Sequence, residues 1–255
     1  MTRIWYRTFQ DFFSIRRLWL FPLLAGLFWF LTLTILLVRW LAVGRPQYPH
    51  QVNPYVPFIS DIAAHQFKPV FIVGCAATGI TFFGTVFSVH HVRYSPRFYG
   101  LTDDTPWRQT TSLVALVAGL AAAVSLVFLS IFDTDDAHVR HRHLLMGTFG
   151  GLFVSAVATT AVWWDQIWGP AVFVGLRKWC LFNTFLVLCQ FGCGVGFVAL
   201  MDDGHFKASG ILEWCLTYMG SFWLASFVGY TMFREDYQPV IEQEDERRPL
   251  IVVRE

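Results

Sequence analysis

The chain has 255 residues, of which 55% are hydrophobic, 18% aromatic and only 15% charged, and its formal net charge is +1. Charged residues make up about a quarter of an ordinary soluble domain, so this composition excludes one, and the near-neutral balance gives a nucleic-acid role no support. The charge is segregated, with apolar runs alternating with short polar stretches; about 20 helical residues cross a hydrocarbon layer about 30 Å thick. The pattern predicts an all-α polytopic membrane protein, with six transmembrane helices in one bundle over residues 1–233 and a tail over 234–255.

The first apolar run, 18–42, is too long for a signal peptide and no small-residue cleavage site follows it, so a retained span is expected. A connection over about 43–69 carries "NPYVPFISDIAAHQFKP". Pro54 and Pro57 disfavour a helix before Ser60, and Ser60 or Asp61 can then cap a short helix reaching Phe67. Ile62, Ala63 and Phe67 would lay that helix on the bilayer surface, with Asp61 and His65 four apart on one face.

The second span runs over 70–91 and the third over 110–132. Between the third and the fourth (143–164) stands "FDTDDAHVRHRH", three aspartates and three histidines in a connection placed at about 133–142. The fifth span covers 179–201 and includes "QFGCGVGFVAL", where Gly192, Gly194 and Gly196 serve either close packing or a hinge or groove that admits an acyl chain. A third polar connection, about 202–213, precedes the sixth span, 214–233. Trp163, Trp164, Trp168, Trp179 and Trp214 fall near predicted span ends, where aromatic belts belong. All five cysteines lie inside spans, so no disulfide framework is expected.

Six spans put both termini on one side. That side collects thirteen of the nineteen Lys and Arg residues, which favours cytoplasmic termini. The three acid- and histidine-bearing connections then share the opposite, outer face, with six of the eight histidines. The tail has no apolar periodicity and is expected to be flexible and cytoplasmic. Tyr237-Gln238-Pro239-Val240 and the stretch from Glu246 to Leu250-Ile251 resemble endolysosomal sorting peptides, against the alternative of a plain solvated tail. The compartment stays open among endolysosomal or vacuolar, Golgi or ER, and plasma membranes.

Pro57-Phe58-Ile59-Ser60-Asp61 resembles the Pro-Tyr-Ile-Ser-Asp signature of the DRAM family (damage-regulated autophagy modulators). That family is grouped with the fungal suppressor of FK506 sensitivity, the Frag proteins of GPI-anchor lipid remodelling, and the amino-terminal part of the yeast Cwh protein that puts ceramide on GPI anchors. "SIFDT" at 130–134 with His141 downstream, and Glu213-Trp214, resemble two further family motifs. Phe58 stands where the family has Tyr, so a phenolic hydroxyl is missing here. The resemblance implies a regulator of membrane lipid organisation or autophagy. The alternative it implies is a GPI-anchor lipid-remodelling enzyme, or the partner of one, with Asp61, His141 and Glu213 as an acid/base centre.

The outer face could bind lipid headgroups through Ser60, His65, Asp133, His138, His143 and His205. His138 and His141 are spaced to share a metal, yet no metal and no cofactor is expected, and no nucleophile elbow or His-Glu-x-x-His string is present. The expected partners are membrane lipids and a GPI-anchored or phosphoinositide-pathway protein. Asp61, His141 and Glu213 are expected to approach one another, Glu213 in the first turn of its helix, with His138 and His143 as exposed rim residues.

Overall fold

The computed structural model describes residues 17–49, 51, 53–93, 105–132, 137–168 and 174–232. The tail over 234–255 and Asp133 lie outside the described residues, and the side chain of His138 is likewise outside the description. Among the described residues every regular element is a helix: α1 (Leu20–Ala42), α2 (Ile59–Ala63), α3 (Lys68–Arg93), α4 (Pro106–Ile131), α5 (His138–Val162), α6 (Trp164–Trp168), α7 (Val174–Asp202), α8 (Phe206–Ser226) and α9 (Val228–Thr231). The six long ones are each long and apolar enough to cross a membrane, with α8 and α9 together making the last span.

The helices outrun the apolar segments. Hydropathy marks only the part of a helix that lipid touches, whereas backbone hydrogen bonding continues into polar turns. Thus α5 begins at His138, five residues before the apolar run, and α8 begins at Phe206. The connection expected over 202–213 shrinks to residues 203–205. There Gly204 adopts φ +75°, the left-handed conformation that ends a helix, and the amide of His205 reaches back to the Leu200 carbonyl.

In space the spans follow the order α5–α4–α3–α1–α8–α7, each packed along the next, while α5 and α7 barely touch. Close approach is set by small residues. A Cβ on Gly26 of α1 would stand 2.7 Å from the Ser221 carbonyl of α8, and one on Gly151 of α5 would stand 2.9 Å from the Ala118 carbonyl of α4. Interfaces between membrane helices gain chiefly from such packing, because lipid supplies no hydrophobic drive for association.

The core falls into two clusters. One includes Phe82, Val86, Val89, Trp163, Trp223 and Tyr230; the other gathers Leu33, Leu36, Trp40, Phe71, Cys75 and Trp214 around Ile59, Ile62 and Ala63 of α2. So α2 does not lie on the bilayer surface as its composition suggested. Ile62 is 1% exposed, and α2 plugs one end of the bundle. It also stops at Ala63 rather than Phe67, and turns lead on to α3. The tryptophans divide as well. Trp164, Trp168 and Trp179 are exposed as belt residues would be, whereas Trp163 and Trp214 are buried.

Candidate functional site

The Pro57–Asp61 and Glu213-Trp214 motifs meet at the α2 end of the bundle. Asn53 is fully buried; its side-chain amide donates to the Phe206 carbonyl (2.6 Å), and its oxygen accepts from the amides of Tyr55 (3.0 Å) and Val56 (3.2 Å). Trp214 Nε1 donates to the Pro57 carbonyl at 3.1 Å. The amide of Phe58 donates to Asp61 Oδ2 at 2.9 Å, and the next amide, of Ile59, donates to Glu213 Oε2 at 3.2 Å. The opening amides of a helix have no partner within it. Here two consecutive ones are met by carboxylates, one from inside α2 and one from α8. The N-cap is Phe58, whose side chain carries no acceptor; Ser60 and Asp61 do not fill that position, and Asp61 reaches back from the third helical residue.

Glu213 lies two turns inside α8 rather than in its first turn, so the helix dipole is not what holds it. Burying a carboxylate is costly unless it is hydrogen-bonded, and the α2 amides answer that need. The two carboxylates are close enough to act on each other electrostatically.

His141, in the first turn of α5, is 7% exposed, and its Nδ1–H donates to the Phe132 carbonyl at the end of α4 (2.7 Å). A carbonyl only accepts, so the proton sits on Nδ1 and Nε2 is the position that gains or loses one. His65 packs edge-on against Tyr48, with ring centroids 5.0 Å apart. His143 and His205 are exposed and Ser60 is half-buried. The structure therefore brings Asp61 and Glu213 together on neighbouring amides. His141 holds the α4–α5 connection at the same end, and His143 and His205 stand on the rim.

A second feature was not located by the sequence analysis. A cavity of about 780 Å³ opens inside the bundle, lined among others by Trp29, Phe82 and Trp223. Two helix stripes face it: Phe149, Phe153 and Ala156 on α5, and Val187, Phe191, Gly194, Val198 and Asp202 on α7. These are the two spans that barely touch. Phe153 and Phe191 stack across the seam with ring centroids 5.6 Å apart, although both remain exposed. A Cβ on Gly194, which lines the cavity, would meet nothing within 4 Å, whereas one on Gly196 would stand 3.3 Å from the Leu212 side chain of α8, so the glycine-rich stretch serves an open groove at one position and close packing at another. Only those glycines hinted at the cavity in the sequence. The stripe itself is hidden because the remaining faces of α7 are apolar too.

The opposite end is fastened differently. His90, 3% exposed, bridges Ser112 (3.1 Å) and Thr159 (3.3 Å), joining α3, α4 and α5. Arg93 counts as a solvent-facing charge in the orientation balance, but it is 1% exposed; it pairs with Asp165 at 3.3 Å and lies over the Trp163 ring at 4.7 Å. Arg108 approaches the same carboxylate at 3.6 Å.

No curated protein and no solved structure matches the chain. A family model described as the Frag1/DRAM/Sfk1/Cwh43P N-terminal domain matches residues 17–229, a stretch that contains the first five spans, all but the last two residues of the sixth, and the interlocked residues of the α2 end. The chain is thus an integral multi-pass membrane protein that belongs to the Frag1/DRAM/Sfk1/Cwh43P family.

Proposed function

We propose that this protein holds a bilayer lipid and through it regulates membrane lipid organisation or autophagy. The observation that carries the reading is the cavity: about 780 Å³ of apolar space within the membrane-spanning part, open toward lipid where α5 and α7 part. Ligand sites occupy about 300–1,000 Å³ and are mostly apolar, with a few polar groups at one end. Water gains little in so apolar a space, and an acyl chain from the surrounding bilayer is the natural occupant. The polar groups of the α2 end, among them His143 and His205, are exposed, which supports a headgroup lying there.

The other reading is a GPI-anchor lipid-remodelling enzyme or enzyme partner using Asp61, His141 and Glu213. It draws on an oriented imidazole at the same end of the bundle as two carboxylates. Both carboxylates, however, accept from backbone amides that α2 would otherwise leave unmet, which favours a fastening role.

The test is native mass spectrometry of the protein released from mild detergent. Wild type is expected to retain one lipid per chain. Gly194→Phe, at a position where the added side chain meets open space, should lose it while melting at or above the wild-type temperature. Retention of the lipid by Gly194→Phe, or its absence from wild type, would refute the proposal.

A further inference from the structure

Given that the cavity holds a lipid chain, as proposed, we infer that its occupant is a zwitterionic phospholipid that slips in sideways between α5 and α7, its phosphate on Arg142 and its cationic group on Asp202.

The geometry starts from the two stripes. On α5, Arg142 precedes the cavity-lining Phe149 by seven residues. Seven residues are two helical turns to within about 20°, so Arg142 heads the stripe that Phe149, Phe153 and Ala156 continue, about 10 Å above Phe149. On α7, Asp202 itself lines the cavity, one turn beyond Val198. A cation and an anion therefore stand at the heads of the two facing stripes. Both are exposed. Among the described residues neither has an ion pair or a hydrogen bond from its side chain.

Depth agrees with one acyl chain. From Asp202 to Val187 the α7 stripe descends fifteen residues, about 22 Å of helix. One leaflet contributes about half of a hydrocarbon core about 30 Å thick. A chain hanging from a headgroup at the Asp202 level would thus lie in the cavity along its whole length.

The way in is the α5–α7 seam. Every other pair of neighbouring spans is packed along its length, whereas these two approach only locally. The Phe153–Phe191 stack crosses the seam, and both rings are about half exposed, so it is a contact that can part without uncovering a packed core. A lipid taken from the leaflet need not leave the bilayer.

Charge selects the headgroup. An anionic lipid would satisfy Arg142 but meet Asp202 unfavourably; a lipid with no charged group would leave both unmet. The turn after Asp202 adds Asp203 and the exposed His205, and Lys207 at the start of α8 offsets Asp203. On the α5 side, Arg140 lies over the Phe132 ring at 5.6 Å, turned toward α4, and leaves Arg142 with His143 at the mouth.

The experiment is a competition read by native mass spectrometry. Full-length protein is stripped of lipid in detergent and offered phosphatidylcholine, phosphatidylglycerol and diacylglycerol with identical chains. Phosphatidylcholine is expected to bind about tenfold better than diacylglycerol, the effect of a charge-assisted hydrogen bond from Arg142 to the phosphate, while its trimethylammonium, which has no N–H, meets Asp202 by charge alone. Arg142→Gln should abolish that preference, and Asp202→Asn should abolish the preference over phosphatidylglycerol. Both sites are exposed, so neither change should alter melting. Phe153→Ala should speed exchange of the bound lipid. Equal binding of all three lipids to wild type would overturn the headgroup assignment while leaving the lipid-holding role intact. Binding of none would overturn both, and an unchanged exchange rate in Phe153→Ala would overturn the sideways route.

Discussion

Replacing Asp61 separates fastening from chemistry at the α2 end. Asp61→Ala removes the acceptor of the Phe58 amide and leaves a buried donor unmet next to the amide that Glu213 holds. Loss of a cap costs about 1–2 kcal/mol, and an orphaned buried donor about 1–3 kcal/mol. At roughly 2–4 °C per kcal/mol for a chain of this size, about 1–2 kcal/mol lowers the melting temperature by roughly 2–8 °C. Asp61→Asn keeps an acceptor oxygen for the Phe58 amide and removes only the charge, so it should lower the melting temperature less than Asp61→Ala does. The assay is thermal unfolding in one detergent, followed by loss of the monodisperse peak. An acid/base role predicts the reverse for function, because Asn would then be as damaging as Ala. If Asp61→Ala melts as wild type does, or if Asn is as destabilising as Ala, the capping account is wrong.

Glycines should split by surroundings. Gly26→Ala, pressed against the Ser221 carbonyl, is expected to destabilise by about 1–3 kcal/mol, whereas Gly192→Ala, facing open space, should stabilise by about 0.5–1 kcal/mol, both read from melting in detergent. His90→Ala should cost about 1–3 kcal/mol by leaving the Ser112 and Thr159 hydroxyls unmet; a neutral result would deny the α3–α4–α5 bridge. In a cysteine-free background, Arg142→Cys should label from the lumenal or extracellular side and Gln243→Cys from the cytosol, and labelling of both from one side would overturn the six-span topology. Removing residues 235–255 should leave a monodisperse bundle, and aggregation of the shortened protein would show that the tail packs against it.

The six spans were legible from the residues alone, because the bilayer imposes one length and one solvent on every crossing helix. Phe58, Asp61, Glu213 and Trp214 could also be singled out, since proline-bounded turns and acids at span ends break an otherwise apolar pattern. What each one does could not be read. Whether Asp61 caps, titrates or binds depends on which amide lies within 3 Å, and the amide of Ile59 that holds Glu213 is 154 residues away in sequence. The burial of α2 was hidden for a related reason: an apolar face looks the same whether it meets lipid or Trp214. The cavity was the least legible feature. In water a buried face differs in composition from an exposed one, but in lipid both are apolar, so the residues of α7 alone do not say which side is open. That is decided where α5 and α7 fail to meet, a property of packing among six helices rather than of any one segment.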